Sequence, residues 1–204
     1  MGSEERVVHL VDDDASVRRS VGFMLKTAGH QVQNYESGAD LLKNSAQLEQ
    51  GCILLDIRMP GMDGLEVQQR LQEKGIRLPV IIMTGHGDVG LAVRAMKAGA
   101  VDFIEKPFEK DTLFSSLDEG FSRLFQEQVT GERRKDAEVK LQALTARELD
   151  VLDGLAQGMP NKTIAYDLGI SPRTVEIHRA NLMTKLGARS LSEALRIAFA
   201  AGDG

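Results

Sequence analysis

A chain of 204 residues with 42% hydrophobic content holds enough apolar side chains for one domain of about 120 residues and a smaller second one. A single cysteine, Cys52, excludes an intrachain disulfide and a cysteine metal site; the four histidines, His9, His30, His86 and His178, show no ligand spacing, and no apolar run approaches the roughly 18 residues of a spanning helix. The net charge of −5 is uneven: residues 1–120 carry 13 basic and 19 acidic side chains, residues 121–204 carry 12 and 11, and residues 160–190 are net +3, so the two halves are expected to meet different partners.

The acidic start Met1-Gly2-Ser3-Glu4-Glu5 is not that of a signal peptide, and a cytoplasmic protein without membrane contact is expected. From Val7 onward short β-rich runs alternate with amphipathic stretches. Strands are predicted at 7–11, 32–35, 52–56, 80–84 and 102–104, and helices near 16–28, 37–44, 64–73, 89–98 and 110–125. Such βα repetition predicts an α/β domain with a doubly wound, five-stranded parallel sheet, helices on both faces. Gly29, Gly75 and Gly99 each follow a helical stretch, where a helix C-terminus favours positive φ. Cys52 falls inside an apolar strand and reads as a core residue.

Val129-Thr130-Gly131 is expected to interrupt the last of these helices, and 132–140 reads as an exposed, partly helical linker. Beyond Leu141 the pattern is wholly helical. Thr145-Ala146-Arg147-Glu148 and Ser190-Leu191-Ser192-Glu193 carry capping-box signatures, and Ser171-Pro172 supplies an N-cap with proline at the first helical position. Helices near 146–157, 161–168, 172–186 and 191–201 follow, the second and third joined by a turn at Gly169-Ile170 short enough for a helix-turn-helix. The expected division is 1–126, a helical or flexible linker at 127–141, and a four-helix domain at 142–204.

In doubly wound order the C-terminal ends of the first and third strands are neighbours, which brings Asp12 and Asp13 against Asp56. Two unit charges about 4 Å apart repel by about 4 kcal/mol at an effective dielectric near 20, so this cluster calls for a proton or a hard divalent cation, Mg²⁺ by preference. Thr84 and Lys106 end the fourth strand and follow the fifth, facing the same edge. A hydroxyl and an ammonium beside carboxylates suit transfer of a phosphoryl group to a carboxylate oxygen, a reaction governed by positioning and charge neutralisation.

Val11-Asp12-Asp13-Asp14, Asp56 with Met59-Pro60 and Asp63-Gly64, Thr84-Gly85-His86-Gly87-Asp88 and Phe103-Ile104-Glu105-Lys106-Pro107-Phe108 resemble the receiver domain of two-component response regulators. Asn161-Lys162, Ile164-Ala165, Ser171-Pro172-Arg173-Thr174-Val175-Glu176, His178-Arg179-Ala180-Asn181 and Lys185-Leu186 resemble the LuxR/FixJ (NarL-like) helix-turn-helix. The resemblance implies phosphorylation of Asp56 by a cognate sensor histidine kinase and a Mg²⁺ site at Asp12, Asp13, Asp56 and the main-chain oxygen of Arg58. It also implies phosphoryl contacts from Thr84 and Lys106, a switch in which Thr84 and Phe103 move together, and homodimerisation on phosphorylation. Double-stranded DNA is the implied target, RNA polymerase a further partner, and the protein is implied to be a phosphoacceptor with at most slow self-phosphorylation and self-dephosphorylation rather than an enzyme. A cis Lys106-Pro107 bond is implied too. By residue type alone, Phe103 fits core packing equally well.

On a helical wheel over 172–186, Val175, His178, Leu182 and Leu186 fall within about 80° of one another, whereas Arg173, Ile177, Ala180 and Thr184 lie opposite, flanked by Glu176 and Asn181. Small apolar groups suit thymine methyls and Glu176 can accept from cytosine N4. Lys162, Arg179 and Lys185 are candidate phosphate contacts, with Asn161 and Thr174 as uncharged helpers. Arg179 could instead pair with Glu148, and His178 reads as a core residue. An aspartate-nucleophile phosphohydrolase is the rival from another class, but its acid/base carboxylate, two residues past the nucleophile, is replaced here by Arg58. A regulator that binds DNA independently of phosphate is the remaining alternative.

Overall fold

The computed structural model describes residues 6–85 and 89–202. The expectations placed on His86, Gly87 and Asp88 and on the first five residues lie outside the described residues. The chain divides into two compact units, Met1–Gln126 and Glu127–Gly204.

The first unit runs β1 (Val7–Val11), α1 (Ala15–Thr27), β2 (Gln31–Tyr35), α2 (Gly38–Lys43), β3 (Gly51–Asp56), α3 (Gly64–Glu73), β4 (Val80–Thr84), α4 (Val89–Lys97) and β5 (Asp102–Glu105), and then the start of α5 (Lys110–Gln142). The strands form one parallel sheet in the order β2-β1-β3-β4-β5. β1, β3 and β4 are buried at every position, whereas the edge strands β2 and β5 are partly exposed. Continuous apolar runs such as Ile53-Leu54-Leu55 are thus explained: a central parallel strand is covered on both faces and has no solvent side to make polar.

Alternation along the strands sorts the two cores. Val8, Leu10, Leu54, Ile81 and Met83 point toward α1 and α5, packing on Val21, Leu25, Leu113 and Leu117. Val11, Ile53, Leu55 and Ile82 point the other way, onto Leu41, Val67, Leu71 and Ala95 of α2, α3 and α4. Cys52 is fully buried, and its burial pushes the thiol up to about 12, so it packs as a hydrophobe. Gly29, Gly75 and Gly99 have φ of 91°, 73° and 90°, as the helix ends required.

No break occurs at Val129-Thr130-Gly131, because α5 is helical from Lys110 to Gln142. A single glycine and two β-branched residues cost roughly 2 kcal/mol of propensity at most. Flanking i,i+4 pairs Arg134–Glu138 and Asp136–Lys140 and the burial of Ala137 offset that cost.

The second unit contains α6 (Ala146–Ala156), α7 (Asn161–Leu168), α8 (Pro172–Leu186) and α9 (Leu191–Gly202). Thr145 and Glu148 form the reciprocal capping box. At α9 the box is displaced: the Ser190 hydroxyl accepts from Glu193 N, but the Glu193 carboxylate accepts from Arg189 N. Val151, Leu152, Leu155, Ile164, Val175, Leu182, Leu186 and Ala194 make the core. Gly154 permits its density, since a Cβ there would lie 2.8 Å from Ile164.

Candidate phosphoacceptor pocket and nucleic-acid interface

Three connections fix the pocket at the C-terminal edge of the sheet. Asp12 N donates to Tyr35 O, Ile57 N to Met83 O and Lys106 N to Thr84 O, so the ladders continue one residue past the strands and set where Asp12, Asp56 and Lys106 stand. The Lys106-Pro107 bond is cis. Behind Asp56, the chain turns at Met59-Pro60 and enters α3 through Asp63, whose carboxylate caps Glu66 N at 2.8 Å. Gly64 is required at that entry, because a Cβ there would sit 2.6 Å from Asp56 O.

Asp12, Asp13 and Asp56 each offer a carboxylate oxygen within 4.8 Å of the others. Asp12 is 1% and Asp56 6% exposed, while Asp13 faces solvent. Lys106 Nζ donates to Asp12 Oδ2 and Asp56 Oδ1, both at 2.7 Å. Burial pushes the Asp56 carboxyl above its ordinary range, Lys106 opposes this, and Asp12 and Asp13 add to the upward push. Burial acts to lower the Lys106 ammonium, but its bonds to Asp12 and Asp56 prevail and hold it above the ordinary lysine value. An all-oxygen donor set, closely spaced and short of positive charge, fits a hard divalent cation.

Thr84 is buried, with its hydroxyl donating to Gly85 O. Arg58, two residues beyond Asp56, is exposed. Phe103 is 41% exposed, which corrects the core-packing reading: on an edge strand, alternate positions face outward. Val93 and Met96 of neighbouring α4 are exposed as well. Sequence reading missed Arg18, whose Nη1 donates to both Asp12 O (2.7 Å) and Asp13 O (2.9 Å). A cation in the first turns of a helix opposes the macrodipole, and that was the available signal that position 18 has a partner.

In the second unit, α8 starts at Ser171, which caps Thr174 N at 3.1 Å, and α7 ends in left-handed Gly169, φ 65°. Val175, Leu182 and Leu186 are buried; Arg173, Glu176, Ile177, Ala180, Asn181 and Thr184 are exposed, and His178 is half-buried. Arg173 and Glu176 pair at 3.1 Å on this open face, an exposed contact worth under about 1 kcal/mol and easily surrendered. Lys162 is exposed on α7.

Two partners differ from expectation. Arg179 donates to Asn161 Oδ1 at 3.0 Å, tying α7 to α8, and leaves Glu148 to Lys185, at 2.7 Å. The Glu148 carboxylate lies closed off just beneath the surface and also accepts from Thr145 N at 2.8 Å. Lys185 first, and then Thr145, hold it below the ordinary glutamate range. The ammonium of Lys185, on a side chain that is itself 37% exposed, is therefore already engaged by Glu148, which weakens its case as a phosphate contact.

A five-stranded parallel sheet with an acidic pocket at its C-terminal edge, followed by a helix-turn-helix, defines a phosphoacceptor domain joined to a DNA-binding one. Residues 8–118 match the response regulator receiver domain, and residues 142–198 match the bacterial regulatory proteins of the luxR family. The chain is 46% identical over 199 residues to the transcriptional regulatory protein FixJ of Azorhizobium caulinodans, covering 98% of this chain and 94% of the relative. It is 45% identical over 197 residues to FixJ of Rhizobium meliloti, covering 97% of each. Full-length FixJ from B. japonicum superposes with a TM-score of 0.63 at 42% identity over 98% of each chain. The response regulator StyR does so with a TM-score of 0.80 at 37% identity, over 96% of this chain and 98% of StyR. The chain belongs to the two-component response regulators with a receiver domain and a LuxR-type DNA-binding domain, the FixJ-like transcriptional regulators.

Proposed function

We propose that Asp56 is the phosphoacceptor and that its phosphorylation, by a sensor histidine kinase, governs dimerisation and binding to double-stranded DNA. The observation that carries this is the placement of Asp56 within 4.8 Å of Asp12 and Asp13 with Lys106 Nζ 2.7 Å from its Oδ1. An Asp56 carboxylate oxygen attacks the phosphorus of the donor while the bond to the donor nitrogen breaks, and one phosphoryl group is transferred. Lys106, already between Asp12 and Asp56, exchanges a carboxylate partner for a phosphoryl oxygen. Thr84 turns its hydroxyl from Gly85 O to another phosphoryl oxygen. Asp12, Asp13, Asp56 and the main-chain oxygen of Arg58 would hold Mg²⁺, which neutralises charge on the transferring group. Withdrawal of the Thr84 side chain makes room for Phe103 to leave its exposed position, and the α4–β5–α5 face then pairs with that of a second copy.

In the effector, Ile177 and Glu176 read base edges. Arg173, Thr174, Ala180 and Asn181 complete that surface, and Asn161, Lys162 and Arg179 meet phosphates, with Lys185 at most a peripheral contact. RNA polymerase is the further partner. Among the described residues no helix is long and apolar enough to cross a membrane, and we place the protein in the cytoplasm. The chain acts as an acceptor, with at most slow self-phosphorylation and self-dephosphorylation, rather than as an enzyme. Incubation with a small phosphodonor and Mg²⁺, followed by intact mass, tests the assignment: wild type should gain one phosphoryl group and Asp56→Asn none. Equal labelling of the variant would place the acceptor elsewhere.

A further inference from the structure

We infer that Arg18 is a positioning residue of the phosphorylation pocket, which acts by holding the Asp12-Asp13 loop in a cation-binding shape. The guanidinium sits on α1 beneath the loop, with its side chain only 13% exposed. One nitrogen, Nη1, donates to the main-chain oxygens of both Asp12 and Asp13, and the other, Nη2, reaches Glu36 at 3.3 Å. The two bonds fix successive peptide planes. With those planes fixed, the side chain of Asp12 is directed to Lys106 and that of Asp13 to the open side of the cluster.

The loop has other restraints, but they act at its two ends. Asp12 N is held by Tyr35 O, and Asp14 turns away to cap α1 through Ser16 N at 2.7 Å. Asp14 N donates to Asp12 Oδ1, which restrains the Asp12 carboxylate. Of the two carbonyls between these ends, both are given to Arg18. Asp13, the exposed acid of the cluster, has its orientation set by the peptide that Arg18 grips.

Charge and positioning predict opposite outcomes, and this makes the inference testable. A positive charge beside a cation site repels the cation, so if Arg18 acted only through its charge, its removal would tighten Mg²⁺ binding. If it acts by ordering the loop, removal weakens binding, in the range of about 10- to 100-fold typical for groups that orient metal ligands. Because a single nitrogen makes both bonds, a lysine ammonium can reproduce them.

The experiment is Mg²⁺ titration by calorimetry of the full chain as wild type, Arg18→Met and Arg18→Lys, with thermal melts in metal-free buffer. Arg18→Met should bind Mg²⁺ at least about 10-fold more weakly, and Arg18→Lys within about 3-fold of wild type. Labelling of Asp56 by a small phosphodonor should show the same shift in the Mg²⁺ concentration for half-maximal rate, with the rate at saturating Mg²⁺ near wild type. Unchanged or tighter Mg²⁺ binding by Arg18→Met would overturn the inference, as would a lower melting midpoint with undiminished affinity, which marks a merely structural role. Should Arg18→Met fail to fold, Arg18→Gln takes its place under the same criteria. The inference rests on the proposed Mg²⁺ site: wild type that binds no Mg²⁺ would refute that reading, whereas wild type and Arg18→Met that bind it equally would refute only the role of Arg18.

Discussion

Replacing Lys106 by methionine isolates the electrostatics of the pocket, because the stem is kept and only the ammonium is lost. In the metal-free protein this ammonium makes two charge-assisted bonds, both at 2.7 Å, to carboxylates that are almost fully buried. Each such bond contributes about 1.5–3 kcal/mol, and the uncovered carboxylates would repel by about 4 kcal/mol at 4 Å and an effective dielectric near 20. Proton uptake by Asp56, already inclined to it by burial, relieves part of this. The net loss should be about 3–5 kcal/mol, the usual result of removing one partner of a buried pair. For a domain of this size that is a fall of roughly 12–20 °C in the receiver's melting midpoint. Mg²⁺ neutralises the same carboxylates, so it should raise the midpoint of Lys106→Met more than that of wild type. Differential scanning calorimetry with and without Mg²⁺ measures both, the receiver transition being the one that responds to the ion. Metal-free midpoints that agree within about 2 °C, or equal Mg²⁺ shifts in the two proteins, would refute the reasoning.

Asp56→Asn should do the opposite. Because the folded protein holds the Asp56 proton more firmly than the unfolded chain does, the ionised carboxylate works against folding at neutral pH; the variant should melt higher without Mg²⁺ at pH 7, and its advantage should vanish below about pH 3.9, where both states are protonated. Glu148→Gln should lower the effector's midpoint at pH 7. Its carboxyl is held low by Lys185 and Thr145, so that stabilisation is present above about pH 4.3 and is lost as pH falls through the folded value, and the two proteins should converge in acid. In filter-binding titrations, Lys162→Ala should reduce the slope of log affinity against log salt by about 0.9 for every sequence. Glu176→Ala should leave non-specific affinity unchanged and relax discrimination at one base pair by about 1–3 kcal/mol across single-base operator variants.

The legible parts of this fold were those written in local patterns. Cys52-Ile53-Leu54-Leu55-Asp56 announces a central strand and its exit because a strand covered on both faces leaves a continuous apolar run. The wheel over 172–186 separated Val175, Leu182 and Leu186 from Ile177 and Ala180 correctly, since helical period alone decides that. What stayed hidden depends on distance in sequence. Lys185 finds Glu148 across 37 residues and Arg179 finds Asn161 across 18, and nothing local to either end selects among the available acids and amides. The continuity of α5 through Gly131 was obscured for another reason: propensity is a weak prior, and paired charges on the next turns together with the burial of Ala137 offset it. His178 is half-buried rather than enclosed, because at about 100° per residue it falls at the margin of the stripe, beyond Leu182.

The central claim, that phosphorylation of Asp56 switches DNA binding, is tested most directly by DNA affinity measured across four samples: wild type and Asp56→Asn, each with and without a small phosphodonor in Mg²⁺. Duplexes come from a pool selected on the phosphorylated protein, and the salt concentration is fixed. Wild type should bind at least about 10-fold more tightly once phosphorylated, a difference of about 1.4 kcal/mol in binding free energy, and Asp56→Asn should bind at the weaker level in both conditions. Equal affinity of all four samples, with phosphorylation of the wild type verified by mass, would contradict it.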